Sequence, residues 1–541
     1  IWRELILGYS GLSDLSVPAW LLAATLVKSG GVLALVAPAT WRNRDYSDVL
    51  QYLLCRCFQL DVVVADRQPG WFSEALVRTH LIVATRLDAG TTRVPIRYRE
   101  PLDRKIVWAE VDPAARKDES LVGRAFEAED PEGGFAEWVL REGSKLSRGI
   151  EGIVATEYGP DEIVPLLKGR RAGSWLKRLE PEDSDTPLFG PTKDSPLQSV
   201  PYQIKQVLPP DASLDLNDLN GVGIQVSQGL RTGCNDLFYV EMIEHQDDGM
   251  AVIRCGRLFG DKTAAVPLDA LRQVLRRQSE LQDFIQGSTL RGYALDLRNY
   301  VLPEDREAVE EARELYRAAG AEMPKLMPDA LADLVCQAAE TVYASGVRKD
   351  RIPELSAVRT NVRVCRRSGP KPQPPRFWYM LPDFARRHLP DAFVPRVNQG
   401  TPQAFANRKP PVLIDANFST LWVDKGPWMT ESIIGVLNST WARACMEAIG
   451  TPMGGGALKL EATHLRRLPL PMLERREIAR IANLVCQKPF GFAETSEPQS
   501  RIDRIIIKAI LPTCSSESES DRLIRHLRSA TDRMRQSRQR G

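Results

Sequence analysis

Few side chains in this sequence stand in patterns that could do chemistry, and the densest is a polar loop, Gln228-Gly-Leu-Arg-Thr-Gly-Cys-Asn235. Gln228, Arg231 and Asn235 are of the types that can offer paired hydrogen bonds to a purine edge, and Thr232 adds a hydroxyl. The same composition also makes an ordinary turn, because two glycines relax the backbone where a chain reverses. A second pattern is Gly454-Gly-Gly456 followed by Lys459; glycines permit close approach of a backbone to a ligand. The tail, Asp521–Gly541, holds seven Arg against two Asp, with Arg522, Arg525 and Arg528, then Arg535 and Arg538, at helical spacing. It reads either as a phosphate-binding arm or as a frayed, solvated terminus. Metal chemistry finds no support: the histidines, His80, His245, His388, His464 and His526, are dispersed, and no Cys-x-x-Cys pair occurs.

Bulk composition narrows the class. The 541 residues are 43% apolar and 26% charged, with a net charge of +2, so any nucleic-acid surface must be a local patch on an otherwise neutral protein. No run reaches the ~18 consecutive apolar residues of a membrane span, and no secretory leader pattern opens the chain. Nine scattered cysteines suggest reduced thiols and a cytoplasmic setting. At about 100–200 residues per domain, the length allows three or four.

Around these residues the chain divides into readable and unreadable stretches. A helix over Ser16–Val27 closes at Lys28-Ser29-Gly30-Gly31, with a cation and glycines where a helix end wants them. The unbroken apolar run Val32–Ala37, stopped by Pro38, predicts a strand buried on both faces in a parallel sheet. A helix over Tyr46–Phe58, a strand over Asp61–Ala65, a loop holding Trp71 and Phe72, and a strand over Leu81–Leu87 follow. Thr92–Arg99 and Lys105–Val111 suggest an edge hairpin, and residues 182–196 a linker. Farther on, short strands are predicted over Val222–Val226, Leu237–Val240, Arg376–Met380, Ala392–Val397, Pro411–Asp415 and Phe418–Val423. Helices are predicted over Leu268–Phe284, Glu304–Ala319 and Ala330–Ala344, as packing elements or a spacer.

Two separated sets of residues resemble one family. Ser13-Asp14-Leu15, Gly30-Gly-Val-Leu-Ala-Leu-Val-Ala-Pro-Ala-Thr-Trp41 and Trp71-Phe72 are similar to γ-class DNA adenine-N6 methyltransferases of the type IIG restriction–modification and phage-defence kind. Ile433-Ile-Gly-Val-Leu-Asn-Ser-Thr-Trp441, Gly454-Gly-Gly-Ala-Leu-Lys-Leu460 and Leu465-Arg-Arg-Leu-Pro-Leu-Pro471 resemble the end of the recognition domain in type I specificity subunits and type IIG methylases. The loop 228–235 resembles the opening of that domain. The resemblance implies an α/β fold in which the back half of a Rossmann-like methyltransferase sheet precedes an α+β target-recognition domain with a helical insertion.

In those terms the expected parts are residues 1–115, the C-terminal half of the catalytic domain; 116–200, an insertion and linker; and 201–303, the first part of the recognition domain. A helical spacer (304–368), the second part of the recognition domain (369–475) and C-terminal helices with a basic tail (476–541) would follow.

The implied activity is methyl transfer from S-adenosylmethionine to adenine in double-stranded DNA. By the resemblance, Phe72 stacks on the flipped base, with Asp14, Pro38 and Trp41 near the same pocket; alternatively Trp71 and Phe72 plug the sheet edge, and Trp41 packs in the core. Gln228, Arg231, Thr232, Asn235, Gly455 and Lys459 are the implied DNA-binding residues, whereas Asn438 and Ser439 read better as helix braces. The family's glycine-rich donor turn and its Asn/Asp-Pro-Pro-aromatic tetrad are both missing, so no catalytic residue is assigned. The chain is therefore expected to start just after the tetrad. The donor would then be bound mainly by a missing N-terminal half or by a catalytic partner subunit. The alternative is a catalytically incomplete DNA-binding specificity subunit of a restriction or phage-defence complex. No convincing nuclease motif occurs, so cleavage would belong to a separate nuclease.

Overall fold

The computed structural model describes residues 16–42, 49–50, 53–66, 79–87, 106–111, 153–158, 200–201, 204, 207–209, 216–345, 348–365, 373–486, 497–511 and 516–539. The chain is a mixed α/β protein built on several sheets.

In the N-terminal region helix α1 (Ser16–Leu26) carries Pro18 in its first turn, where a missing N–H costs nothing. Gly30 then adopts φ +73° and leads into β1 (Val32–Pro38). A five-stranded sheet follows, with β2 (Phe58–Asp66), β3 (Thr79–Arg86), β4 (Ile106–Val111) and β5 (Ile153–Tyr158) in the order β1-β3-β2-β4-β5. Its connectivity corrects the expectation of a wholly parallel sheet. β3 lies between β1 and β2 and runs antiparallel to both, and only β2–β4 is parallel. Among the described strands β1 consequently stands at the edge. Leu33 and Ala37 point into the core while Val32 and Val36 remain 60% and 65% exposed, so this apolar run is one-sided. In central β2, by contrast, Leu60, Val62 and Val63 are all buried, as expected where both faces are covered. Residues 43–48, 92–99 and 182–196 lie outside the described set. The described partner of β4 on its outer side is β5.

The remaining chain interleaves two larger sheets, beside four small ones of two or three strands among the described residues. One runs β9 (Thr263–Pro267), β8 (Met250–Arg254), β7 (Tyr239–His245), β11 (Gly292–Leu295), β10 (Leu271–Leu275) and β13 (Leu413–Ile414). The other pairs Phe405–Ala406 with β12 (Ala392–Pro395), β12 with β14 (Phe418–Val423), and β14 with β6 (Ile224–Gln228). Two stretches pass from sheet to sheet: 224–245, from β6 to β7, and 413–423, from β13 to β14. They touch where they cross, with Leu230 donating to Ile414 O at 2.8 Å and Ala416 to Leu230 O at 2.9 Å.

Several expected helices change type. Leu268–Phe284 contains β10, because Val274 packs into one core while Leu275 packs with Phe284, Phe393 and Ile414 in another. A strand covered on both faces shows no alternation, and sheet pairing overrides a helix-like local pattern. Glu304–Ala319 breaks at Ala312 into Arg306–Glu311 and Arg313–Ala318. The helix expected over Ala330–Ala344 is Asp329–Glu340, followed by a strand at Val342. Arg376–Met380 is a turn with a single bridge at Arg376 rather than a strand.

The C-terminal helices, α2 (Thr430–Leu437), α3 (Thr440–Ile449), α4 (Arg475–Cys486), α5 (Glu497–Ile510) and α6 (Glu517–Gln539), share one core in which Trp441, Ile481, Ile506 and Leu527 are buried. Over its described residues, to Gln539, the basic tail is a packed helix and neither a free arm nor frayed. Arg538 is buried, paired with Glu447 and bonded to Gly400 O at 2.8 Å and to Gly456 O. Arg528 donates to Asp503 at 3.1 Å, and Arg535 to Thr401 at 2.7 Å. Asn438 braces Ala404 through both its amide groups, and Ser439 caps α3.

Candidate functional site

The crossing of the two inter-sheet stretches builds a polar cleft of about 680 Å³. Gly229 makes the crossing possible. A Cβ there would overlap the carbonyl oxygens of Ile414 and Asp415, so only glycine lets the chain pass this close. Gly233, at φ +87°, rests against the backbone of Ala357 and Val358. Between them Thr232 is 1% exposed and donates to Asn235 Oδ1 at 2.7 Å, while Asn361 Nδ2 donates to Thr232 O at 3.2 Å. The loop is thus locked. Thr232 cannot reach a ligand directly and instead orients Asn235, which lines the cleft.

The cleft floor is charged. Tyr239, at the start of β7, donates from its hydroxyl to Asp415 Oδ2 at 2.5 Å, and the Asn417 N–H donates to Asp415 Oδ1 at 2.7 Å. Burial raises the Asp415 carboxyl above its usual range against these hydrogen bonds, and burial likewise raises the Tyr239 phenol. Arg276 leaves the end of β10 and lines the same space. Its backbone is fixed at both ends: the N–H donates to Glu280 Oε2 at 2.8 Å, and the carbonyl accepts from Asn417 Nδ2 at 2.9 Å. The guanidinium is held only loosely, with Nη2 3.4 Å from Glu280 and 3.6 Å from Glu241. Its Nε is buried with no partner among the described residues, and the guanidinium stands 5.9 Å from the Tyr239 ring centroid. Arg254, Arg257 and Arg277 add three more cations to the lining, and Asp236, Glu241, Asp261 and Asp415 match the four arginines with four carboxylates. Such a cleft offers donors and acceptors in equal supply. It suits a planar polar ligand better than a multiply charged anion.

The other expected residues fall around this crossing. Gln228 Nε2 donates to Ala416 O at 3.1 Å, and Arg396 Nη1 donates to the same carbonyl at 3.0 Å. Arg396 and Lys459 share Glu461, at 2.8 and 2.7 Å, so Lys459 is tied through one carboxylate to the segment that lines the cleft. Arg231 is exposed and has no partner among the described residues. Gly455, at φ +74°, faces open space. Its neighbour Gly456 is small for an internal reason, because a Cβ there would lie 2.7 Å from Gln539 Cα of α6. Sequence reasoning missed Arg276, Tyr239, Asp415 and Asn417. Arg276 was hidden inside an expected helix, and nothing local marks 415–417 as lying beside 235–239.

In the N-terminal sheet, Trp41 is 1% exposed and its indole donates to His80 Nδ1 at 2.9 Å. His80 also meets Trp108 edge-on with centroids 5.6 Å apart. This fixes Trp41 as core and removes it from the expected pocket wall, while Pro38 remains half-buried at the strand end. Asp14 and Phe72 lie outside the described residues. The Gly30-Gly31 pair sits at a helix-to-strand turn, with Gly30 N donating to Arg86 O at 2.9 Å, and not at a helix N-terminus where a glycine-rich turn would hold a ligand.

No family model and no curated protein matches the chain. Among solved structures it is similar to the type IIG restriction endonuclease BpuSI, at 12% identity over 97% of this chain and 50% of that one, with a TM-score of 0.32. It is also similar to the type IIL restriction–modification enzyme MmeI in complex with DNA, at 11% identity, 98% and 55% coverage and a TM-score of 0.44. A DrdV–DNA complex matches at 11% identity over 89% of this chain and 40% of that one, with a TM-score of 0.30. The chain spans about half the length of these structures or less. At such scores the likeness assigns no residue and no activity.

Proposed function

We propose that this chain is the DNA-recognising portion of a restriction–modification type system, and that the system methylates adenine N6 at a specific site in duplex DNA. The observation that carries the reading is the cleft at the sheet crossing. The polar loop 228–235, whose sequence resembles the opening of a recognition domain, meets the 415–417 segment there. With Arg254, Arg257, Arg276 and Arg277 in the same lining, they present Arg, Asn and carboxylate groups, the side chains that read base edges.

Methylation of an adenine amine requires the base to leave the stack. In this reading Phe72 supplies one wall for the flipped ring. S-adenosylmethionine supplies the methyl group when bound, and the described residues do not fit it, so its site is assigned to polypeptide outside them. A second reading, resting on the sequence, where neither a glycine-rich donor turn nor an Asn/Asp-Pro-Pro-aromatic tetrad is found, makes the chain a specificity subunit that borrows its chemistry from a catalytic partner.

Two measurements on the full chain test the proposal. Duplex DNA with a random core should be bound with sequence preference, and isothermal calorimetry with S-adenosylmethionine should give no heat at micromolar concentrations. Micromolar donor binding would place a catalytic half within this chain and remove the second reading. Binding without any sequence preference would remove both.

A further inference from the structure

Arg276 is the least satisfied buried cation among the described residues of the cleft. It is 9% exposed, its Nε has no partner, and its Nη2 has two carboxylates only at ion-pair distance. No hydrogen bond from the guanidinium is formed among the described residues. A buried guanidinium left in that state costs free energy unless a ligand completes it. Its backbone anchors to Glu280 and Asn417 fix where it stands. Gly292 backs it so closely that a Cβ there would lie 2.6 Å from Nε.

The surroundings decide which ligand. A phosphate would meet four carboxylates in the same lining, and repulsion from these would offset the attraction of the arginines. A base edge carries no net charge. Guanine presents N7 and O6 side by side, the acceptor pair that matches a guanidinium fork. The carboxylates and amides around it, Asp236, Asn235 and Asn417, can accept from the amino group of an adjacent adenine or cytosine.

Resting on the DNA-recognition reading, we propose that Arg276 reads a guanine: its guanidinium pairs with N7 and O6 of one guanine in the major groove of the target site. Arg276 is in this sense a specificity-determining residue, distinct from the 228–235 loop that frames it.

The test uses the full chain and duplex DNA with a random core at fixed salt. The wild-type chain should select a site holding an invariant guanine, and replacing that guanine by 7-deazaguanine should weaken binding about tenfold or more. Arg276→Lys keeps the charge and loses the fork, so discrimination for that guanine should fall by about ten- to a hundredfold. Its affinity for the 7-deaza site should be unchanged, and the slope of affinity against salt should also hold. Gly292→Ala, which displaces the guanidinium without removing it, should lose the same discrimination.

A uniform loss over all sequences with a salt slope shallower by about one would make Arg276 a phosphate contact and overturn the proposal. Full wild-type preference in Arg276→Lys, or wild-type indifference to 7-deazaguanine at every guanine, would also overturn it while leaving DNA recognition standing. Wild-type chain without sequence preference would overturn the recognition reading itself. The 7-deazaguanine measurement needs no variant, so it decides even where a variant fails to fold.

Discussion

Two buried arginines in this molecule stand in opposite conditions. Arg538, near the end of α6, is enclosed by Glu447 and by the carbonyls of Gln399, Gly400 and Gly456. Arg276, at the end of β10, has loose ion pairs and a buried Nε without a partner among the described residues. Burial alone therefore does not tell structure from function. What separates the two is whether the protein itself uses up the donors. Arg538 belongs to the fold, and it ties the last helix to the glycine turn. Arg276 lines a cleft, and its guanidinium forms no hydrogen bond among the described residues.

The largest effect should come from breaking the satisfied one. Arg538→Ala leaves Glu447, itself 5% exposed, as a buried charge without its partner, and should lower unfolding stability by about 3–5 kcal/mol in a denaturant titration. Arg276→Ala should change it far less, because the guanidinium holds nothing tightly. Equal losses would erase the distinction between them.

Next in size is Gly229→Ala, which forces a Cβ into the Ile414 and Asp415 carbonyls and should cost about 1–3 kcal/mol. Gly455→Ala meets open space and should cost only its left-handed backbone strain, about 1–2 kcal/mol. A larger loss at Gly455 than at Gly229 would contradict the view that the crossing, and not the glycine turn, is the tight point.

A smaller effect concerns pH. Asp415 holds its proton more tightly folded than unfolded, since burial raises its carboxyl. Its contribution is therefore fully present below the unfolded carboxyl range, about pH 4, and is lost as pH rises through the folded value. The stability of wild type minus that of Asp415→Asn should fall across that window and stay level at higher pH. A difference that grows with pH would mean that Asp415 is stabilised as the carboxylate.

Arg231→Ala should show the least. Exposed and unpartnered among the described residues, Arg231 should change stability by no more than about 0.5 kcal/mol. If it meets a phosphate, the salt slope of DNA binding becomes shallower by about one with sequence preference intact. That behaviour is the converse of the one expected for Arg276→Lys.

How much was legible follows from the range of each interaction. Helix α1 with its glycine stop, β2, β3 and β14 were readable because capping, runs of β-branched residues and turn residues act over a few positions. The polar loop was readable as a loop, and Asn235 within it does line the cleft. Thr232, which the sequence offers as a contact, is buried, and its carbonyl is held by Asn361, far along the chain. The tail reads equally as a phosphate-binding arm or a solvated end because its arginines carry no local sign of a partner, yet Arg528 and Arg538 find carboxylates on other elements and Arg535 the Thr401 hydroxyl.

The sequence by itself determined the local punctuation of this protein, its mixed α/β character and the types of side chain available for recognition. Tertiary structure decided the sheet directions, the edge position of β1 and the fate of Leu268–Phe284, because strand pairing and two-sided burial depend on partners that no local window contains. It also decided the cleft. Tyr239, Arg276 and Asp415 are separated by long stretches of sequence, and only the crossing of two inter-sheet segments brings a phenol, a guanidinium and a carboxylate to one place.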